Sequence, residues 1–293
     1  MNGAPGIARP RGAISRPVTF ARWSMYGFFV LAALCWGYIF GWTDNGIGDL
    51  LSADSWSNSG RFISQLAGQE SRAAPAFAEP GRWVETGKLA YETLAMSVLA
   101  IGLTGLAAFP TFVFGARNVS SGELGGASSR SGVVLYYTVR LTFAVTRAVP
   151  ELVWAMIIVF FLSPGVLAGA VALALHNYGV LGKLSSEVVE NLDPGPSRAL
   201  RASGAGNLQM LLYGVLPQAL PSFLTYLLYR WEVIIRTTVV VGFVAAGGLG
   251  REFRLSISLF HYTDVALIIA WYLILVMAVD LVSAGLRKLV SGD

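Results

Sequence analysis

Long apolar runs separated by short polar stretches set the pattern of this chain. Trp23 to Trp42 contains no charged residue and is bracketed by tryptophans, as the two rims of a bilayer-crossing helix favour. A second uncharged run covers Thr93 to Gly115, and a third, Leu152 to Gly182, is too long for one span. "SPG" at Ser163 to Gly165 divides it, because Pro and Gly favour a turn. Each half then borrows neighbours to cross. The first extends back through Glu151 and Arg147 to about Leu141, and the second runs forward past Lys183. A fifth span covers Pro217 to Val244, with Arg230, Glu232 and Arg236 inside it, and a sixth covers Val265 to Leu286, with Asp280 near its end. The pattern predicts an all-α integral membrane protein of about six transmembrane helices.

Composition agrees. The chain is 55% hydrophobic and 13% charged, with a mean hydropathy of +0.60, whereas soluble domains carry about a quarter charged residues. The 33 glycines suit closely packed membrane helices. A net charge of +4 without a basic, aromatic-interleaved stripe points away from nucleic acid and leaves the lipid bilayer as the expected environment. Cys35 is the sole cysteine, so no intrachain disulfide forms. The Trp23–Trp42 run is longer than a signal-peptide core and no small-x-small site follows; bulky Leu34 and Trp36 flank Cys35, unlike a lipoprotein signal. The first helix is expected to remain as an anchor.

Basic residues orient the spans. With the N-terminus inside, the inner segments hold Arg9, Arg11, Arg16, Arg22, Arg117, Arg130, Lys183, Arg198, Arg201, Arg287 and Lys288. The outer ones hold Arg61, Arg72, Arg82, Lys88, Arg251 and Arg254. The expected organisation is a cytoplasmic tail over 1–22, a first helix over 23–42, an extracytoplasmic loop over 43–88, a five-helix core over 89–286 and a cytoplasmic C-terminus over 287–293. The Gly/Ser-rich stretch 116–132 reads as a flexible inner linker.

"RALRASGAGNLQMLLYGVLP", Arg198 to Pro217, interrupts this apolar chain on the inner side. Pro194 and Pro196 stop the preceding helix. Ser197 is placed to cap a short helix over 198–203, Gly204 to turn left-handed, and Asn207 to cap a second helix that breaks at Leu216-Pro217. Ala199, Ala202 and Ser203 share one small-sided face. A helix this short is unstable alone and needs a partner surface.

This stretch resembles the cytoplasmic coupling motif of ATP-binding-cassette importer permeases: Glu-Ala-Ala, three residues, Gly, nine residues, Ile-x-Leu-Pro. Ala199, Gly204, Leu216 and Pro217 agree in type and spacing; Arg198 stands for the usual Glu, Leu200 for the second Ala and Gly214 for Ile. "TRAVPELVWAMIIVFFL" (146–162), "LLYGVLPQALPSFLTYLLYRWE" and "YRWEVIIRTTVVVGFVAAGGLG" (229–250) are similar to phosphonate-type permease subunits. The resemblance implies a type I importer permease fold with a coupling helix-turn-helix over 197–217, in a bacterial plasma membrane. It also implies the partners: a second permease copy, two cytoplasmic ATPases docked on Arg198, Ala199, Leu200, Ala202, Ser203, Gly204, Leu216 and Pro217, and an extracytoplasmic substrate-binding protein. The implied cargo is a small phosphorus oxyanion: phosphonate, phosphate or phosphite.

Neither "GVLGKL" (179–184) nor "AAGGLG" (245–250) has the spacing or context of a phosphate or dinucleotide loop. ATP and Mg are therefore expected on a partner subunit, with no cofactor, catalytic residue or metal in this chain. Nucleotide-driven movement of the short helix would then drive alternating access. Arg147, Glu151, Arg230, Glu232 and Arg236 lie in or beside spans, where a charge at the helix centre costs roughly 2.5–3.5 kcal/mol. Arg147–Glu151 and Glu232–Arg236 are spaced i,i+4, so two intrahelical ion pairs are one reading. A cationic path or gate for an anion is the other, since Arg suits phosphorus oxyanions. Arg251 and Arg254, outside, are candidates for contact with the binding protein, or simply solvated charges. "AAGGLG" itself fits a bend, close subunit approach or ordinary small-residue packing. His176 and His261 stand alone in sequence, and Asp280 reads as a helix-end or packing group. A membrane scaffold, a passive channel without ATP coupling, or a permease for an unrelated solute are the alternative functions.

Overall fold

The computed structural model describes residues 19–42, 52–69, 74–122, 124 and 130–291. The expected tail up to residue 18, parts of the outer segment and linker, and residues 292–293 lie outside the described residues. The chain forms two units, Met1–Ile63 and Ser64–Asp293. In the first, α1 (Thr19–Trp42) is apolar all round, as a bilayer-crossing helix must be. Helix α2 (Ala53–Leu66), by contrast, is strongly two-faced and occupies a stretch expected to be loop.

The second unit holds α3 (Pro80–Thr111), the single turn α4 (Arg117–Ser120), α5 (Arg130–Ala148), α6 (Glu151–Val159) and α7 (Val166–Glu190). These are followed by α8 (Gly195–Ala202), α9 (Asn207–Val244), α10 (Gly248–Ser258) and α11 (Tyr262–Ser291). Helix α1 and four of these are long and apolar enough to cross a membrane, and the bent pair α5–α6 adds a sixth if it is counted as one broken span.

Three sequence expectations change. Helix α3 starts at Pro80 rather than Thr93, because proline at the first position is pre-set for a helix and charged residues can extend the span into water. The expected continuous span from Leu141 is instead two helices at 90°. Pro150 lacks an N–H and its ring would strike the carbonyl of Thr146. The freed carbonyls find side-chain donors: Trp154 Nε1 donates to Thr146 O at 3.0 Å, and His176 Nδ1 lies 3.0 Å from Val149 O. Finally, Leu216-Pro217 does not break the chain. Helix α9 runs through it by way of a π turn over Met210–Val215, in which Leu216 N–H reaches back to Leu211 O. The wider turn makes room for the proline ring.

Helix α7 is the hub, packing on α3, α5, α6 and α9. Its buried side is dominated by Ala168, Gly169, Ala170, Ala172, Ala174, Gly179, Gly182, Ser185 and Ser186. Without a hydrophobic drive between helices in lipid, such small residues gain stability from close van der Waals approach. A Cβ on Gly179 would lie 2.5 Å from Phe143 O, and one on Gly182 would lie 2.3 Å from the Phe143 ring. The core has one layer of Met96, Ala100, Ala155, Leu173 and Ile234, and another of Phe112, Leu181, Val215 and Phe223. Phe112 and Phe223 stack there with centroids 5.1 Å apart.

Candidate functional site

Two features carry the chemistry: the short helix α8 and a set of charges inside the spans. Helix α8 begins at Gly195, three residues before the expected start, with Pro196 in its first turn. Ser197 does not cap it. Pro194 holds the cap position, with Asp193 before it accepting from Gly195 N–H at 3.0 Å, while Ser197 is buried against the π turn, where a Cβ on Gly214 would meet its Oγ at 2.9 Å. Leu200 packs on the same glycine. Gly214, where the motif usually has Ile, thus lets α8 seat closely on the start of α9.

The exit from α8 is a Schellman turn. Ala205 N–H donates to Leu200 O and Gly204 N–H to Arg201 O, each at 3.0 Å, with Gly204 at φ +86°. Glycine adopts this left-handed conformation without steric cost. Asn207 is not the next cap either. Gly206 occupies that position, and its N–H donates to Gln209 Oε1 at 2.8 Å. With Ser197 and Leu200 turned inward, Arg198, Ala199, Ala202, Ser203 and Gly204 are left exposed. Leu216 and Pro217, assigned to the same site, lie inside α9 instead of at its edge.

The same end of the bundle is cross-tied. Glu190, at the end of α7, accepts from Arg117 N–H at 2.8 Å and pairs with Arg140 of α5. Arg140 Nε donates to Gly115 O at 2.7 Å, and Asn118 Nδ2 donates to Val189 O at 2.7 Å. Arg201 Nη1 reaches Gly122 O at 3.3 Å, joining α8 to this network.

Neither expected intrahelical ion pair forms. Arg147 and Glu151 fall on opposite sides of the Pro150 bend. Glu151 faces His176 Nε2 at 3.8 Å, and Arg147 has no carboxylate partner among the described residues. Since a carbonyl only accepts, His176 carries its hydrogen on Nδ1, toward Val149. Glu232 pairs with Arg287 of α11, and Arg287 Nη1 also donates to Ser283 Oγ at 2.8 Å. Arg236 Nη2 instead donates to both oxygens of Asp280, at 3.0 and 2.8 Å. Local pairing of Glu232 with Arg236 would have left Asp280 and Arg287 unneutralised in α11; cross-pairing satisfies all four. Arg230 is held by Asn177, a fully buried residue of α7, through Nε at 2.8 Å and through Nη2.

"AAGGLG" bends the chain between α9 and α10. Gly247 and Gly248 have φ +92° and +63°, and a Cβ on Gly250 would lie 2.3 Å from Val239 O. The first N–H groups of α10 are capped from α3: Leu249 donates to Thr93 Oγ1 at 2.9 Å and Gly248 to Glu92 Oε2 at 3.3 Å. Close approach within the chain therefore accounts for these glycines. Arg251 and Arg254 are exposed on α10. His261 lies 3.9 Å from Asp264, which also meets Arg82 at 3.6 Å.

Several partners escaped the sequence reading. In sequence Asp280 reads as a helix-end or packing group and Arg287 as the start of the cytoplasmic C-terminus, while Asn177, Glu190 and Arg140 have no role in that reading. The signal for Asn177 was its polarity within an uncharged run; for Arg287 and Arg140 there was none, because their partners are remote in sequence.

Comparisons with known proteins follow the same lines. The family model for the binding-protein-dependent transport system inner membrane component matches residues 122–292. A phosphite transport system permease protein of Stutzerimonas stutzeri is 32% identical over 286 residues, covering 96% of this chain and 95% of that protein. A phosphate-import permease protein of Mycolicibacterium smegmatis is 34% identical over 215 residues, 73% of this chain and 38% of that one. A putative cryptic phosphonate transport system permease protein of Escherichia coli is 43% identical over 117 residues, 40% of this chain and 96% of that one. Among solved structures, an inward-facing methionine ABC transporter, MetNI, superposes with TM-score 0.62 at 21% identity. It covers 72% of this chain and 98% of that chain, a likeness of fold.

Proposed function

This chain belongs to the binding-protein-dependent transport system inner membrane components, the permease subunits of ABC importers, and from that premise we propose its cargo, its assembly and its orientation. It is a multi-pass inner-membrane transport subunit and not itself an enzyme. Two copies form the path for a small phosphorus oxyanion, which an extracytoplasmic binding protein delivers. ATP and Mg are bound by partner ATPases.

The observation that carries this reading is the form of α8. Its small face is exposed while Ser197, Leu200 and the Arg201 contact fix it to the bundle. A push on that face would be passed through Gly214 into α9, and α9 carries Arg230, Glu232 and Arg236. The α8 end also gathers Arg117, Arg130, Arg140, Lys183, Arg198 and Arg201, which favours placing it in the cytoplasm, with both chain termini on that side. Phosphite, phosphate and phosphonate are the cargoes in the names of the relatives. The arginines of α9 suit such oxyanions because a guanidinium stays charged and offers paired N–H donors. Arg251 and Arg254, exposed on α10, are the candidates for contact with the binding protein.

The test is uptake of labelled phosphite, phosphate and methylphosphonate into proteoliposomes holding this permease, its ATPase and its binding protein. Entry of at least one of them, dependent on ATP and the binding protein, is expected. Brisk ATP hydrolysis with no uptake of any of the three would remove the cargo assignment. Ala202→Trp, a bulky group on the exposed face of α8, should abolish binding-protein-stimulated hydrolysis while the chain still inserts. Undiminished hydrolysis by that variant would remove the docking assignment.

A further inference from the structure

The Arg236–Asp280 pair differs from its neighbour Glu232–Arg287 in its surroundings. Asp280 lies about 27 Å along α11 from Tyr262 and about 16 Å from Ser291, at 1.5 Å per residue, well within the helix. Yet the Arg236 and Asp280 side chains are 50% and 39% exposed, against 12% for Glu232. An ion pair at this depth does not face hydrocarbon stably; it faces a water-filled path or another protein surface. Arg236 also spends only one nitrogen on Asp280. Its Nε and Nη1 have no partner among the described residues, but each two-donor edge of the guanidinium also needs Nη2, the nitrogen that Asp280 holds.

We propose that Asp280 is a placeholder for the transported oxyanion: it neutralises Arg236 while the path is empty and yields it to the passing solute. This rests on the transport reading above and adds a residue-level rule to it. The oxyanion meets the free Nε or Nη1 of Arg236 first and gains the paired donors that phosphorus oxygens fit only by taking Nη2 from Asp280. Asp280 remains within reach, so its negative charge repels the newcomer and competes for the same nitrogen. Binding is therefore weak by construction, and the solute is released when Asp280 re-pairs. Tyr272, whose hydroxyl donates to Arg236 O at 2.8 Å, ties the arginine backbone to α11 during the exchange.

The experiment uses the complete permease–ATPase complex without binding protein in detergent, with ³¹P line broadening of phosphite and phosphate as the measure of weak binding. Asp280→Asn should tighten binding by about tenfold, because a competing like charge is removed, and Arg236→Gln should abolish it. In proteoliposomes with binding protein, Asp280→Asn should slow uptake, since release is impeded. The double swap Arg236→Asp with Asp280→Arg should assemble and hydrolyse ATP but import poorly.

Restored uptake in the swap would overturn the proposal, because a merely structural pair works in either orientation. Unchanged ³¹P binding in Asp280→Asn, or failure of that variant to assemble, would overturn it too. If the wild-type complex imports no phosphorus oxyanion, the transport reading itself falls; if it imports and Asp280→Asn binds as wild type does, only the placeholder role falls.

Discussion

Two ion pairs join α9 to α11 about one turn apart on α9, and they sit in opposite surroundings. Glu232–Arg287 is shielded, and Ser283 supports it with a hydrogen bond. Arg236–Asp280 is half exposed and leaves donors unused. Each is an arginine paired with a carboxylate, and the two could have served one structural purpose twice. Their burial separates them: the first pair holds two helices together, and the second presents a charge to whatever fills the space outside the chain.

The sharpest way to break this contrast is truncation at the shielded pair. Glu232→Ala strands Arg287 within the helix seam; removing one partner of a fully buried pair costs about 3–5 kcal/mol, and this partly buried one lies below that. The expected result is a large drop in the melting temperature of the purified chain, with little folded protein recovered. Arg236→Ala should behave differently. An exposed pair contributes about 0–1 kcal/mol, so melting should hardly move while uptake falls about tenfold, equivalent to about 1.4 kcal/mol in the barrier. Normal uptake by Arg236→Ala would erase the distinction between the pairs.

Smaller changes refine it. Ser283→Ala removes the hydroxyl that donates to Leu228 O at 3.2 Å and accepts from Arg287. A loss of about 1–2 kcal/mol in stability is expected there, with transport per folded molecule unchanged. Tyr272→Phe removes a single bond to Arg236 O. It should cost about 0.5–1.5 kcal/mol, and an uptake defect as large as that of Arg236→Ala would show that the tyrosine, rather than the arginine charge, governs this site.

Much of the fold was legible in the residues. Uncharged runs located the spans because a bilayer admits few charges, and Pro194 and Gly204 bounded the short helix, the one because its ring stops the helix before it and the other because glycine takes a left-handed turn without steric cost. The exposed small face of that helix was legible as well, from the spacing of Ala199, Ala202 and Ser203. Boundaries fared worse where proline has two readings. Pro150 does break a helix; Pro217 does not, because a π turn ahead of it makes room. Nothing in the local sequence distinguishes them, since the deciding contacts are the donors from Trp154 and His176 in one case and the seat of α8 on Gly214 in the other.

The sequence by itself determined that this chain crosses a membrane about six times, that it carries a short small-faced helix between spans, and that several arginines sit where charge is costly. It did so because hydropathy, proline and glycine act over a few residues. Only the tertiary structure decided which charges meet. An i,i+4 spacing offers Glu232 and Arg236 to each other, but among membrane-spanning helices the arrangement that leaves fewest charges unpaired prevails. That arrangement draws in Asp280 and Arg287 from a helix some fifty residues away.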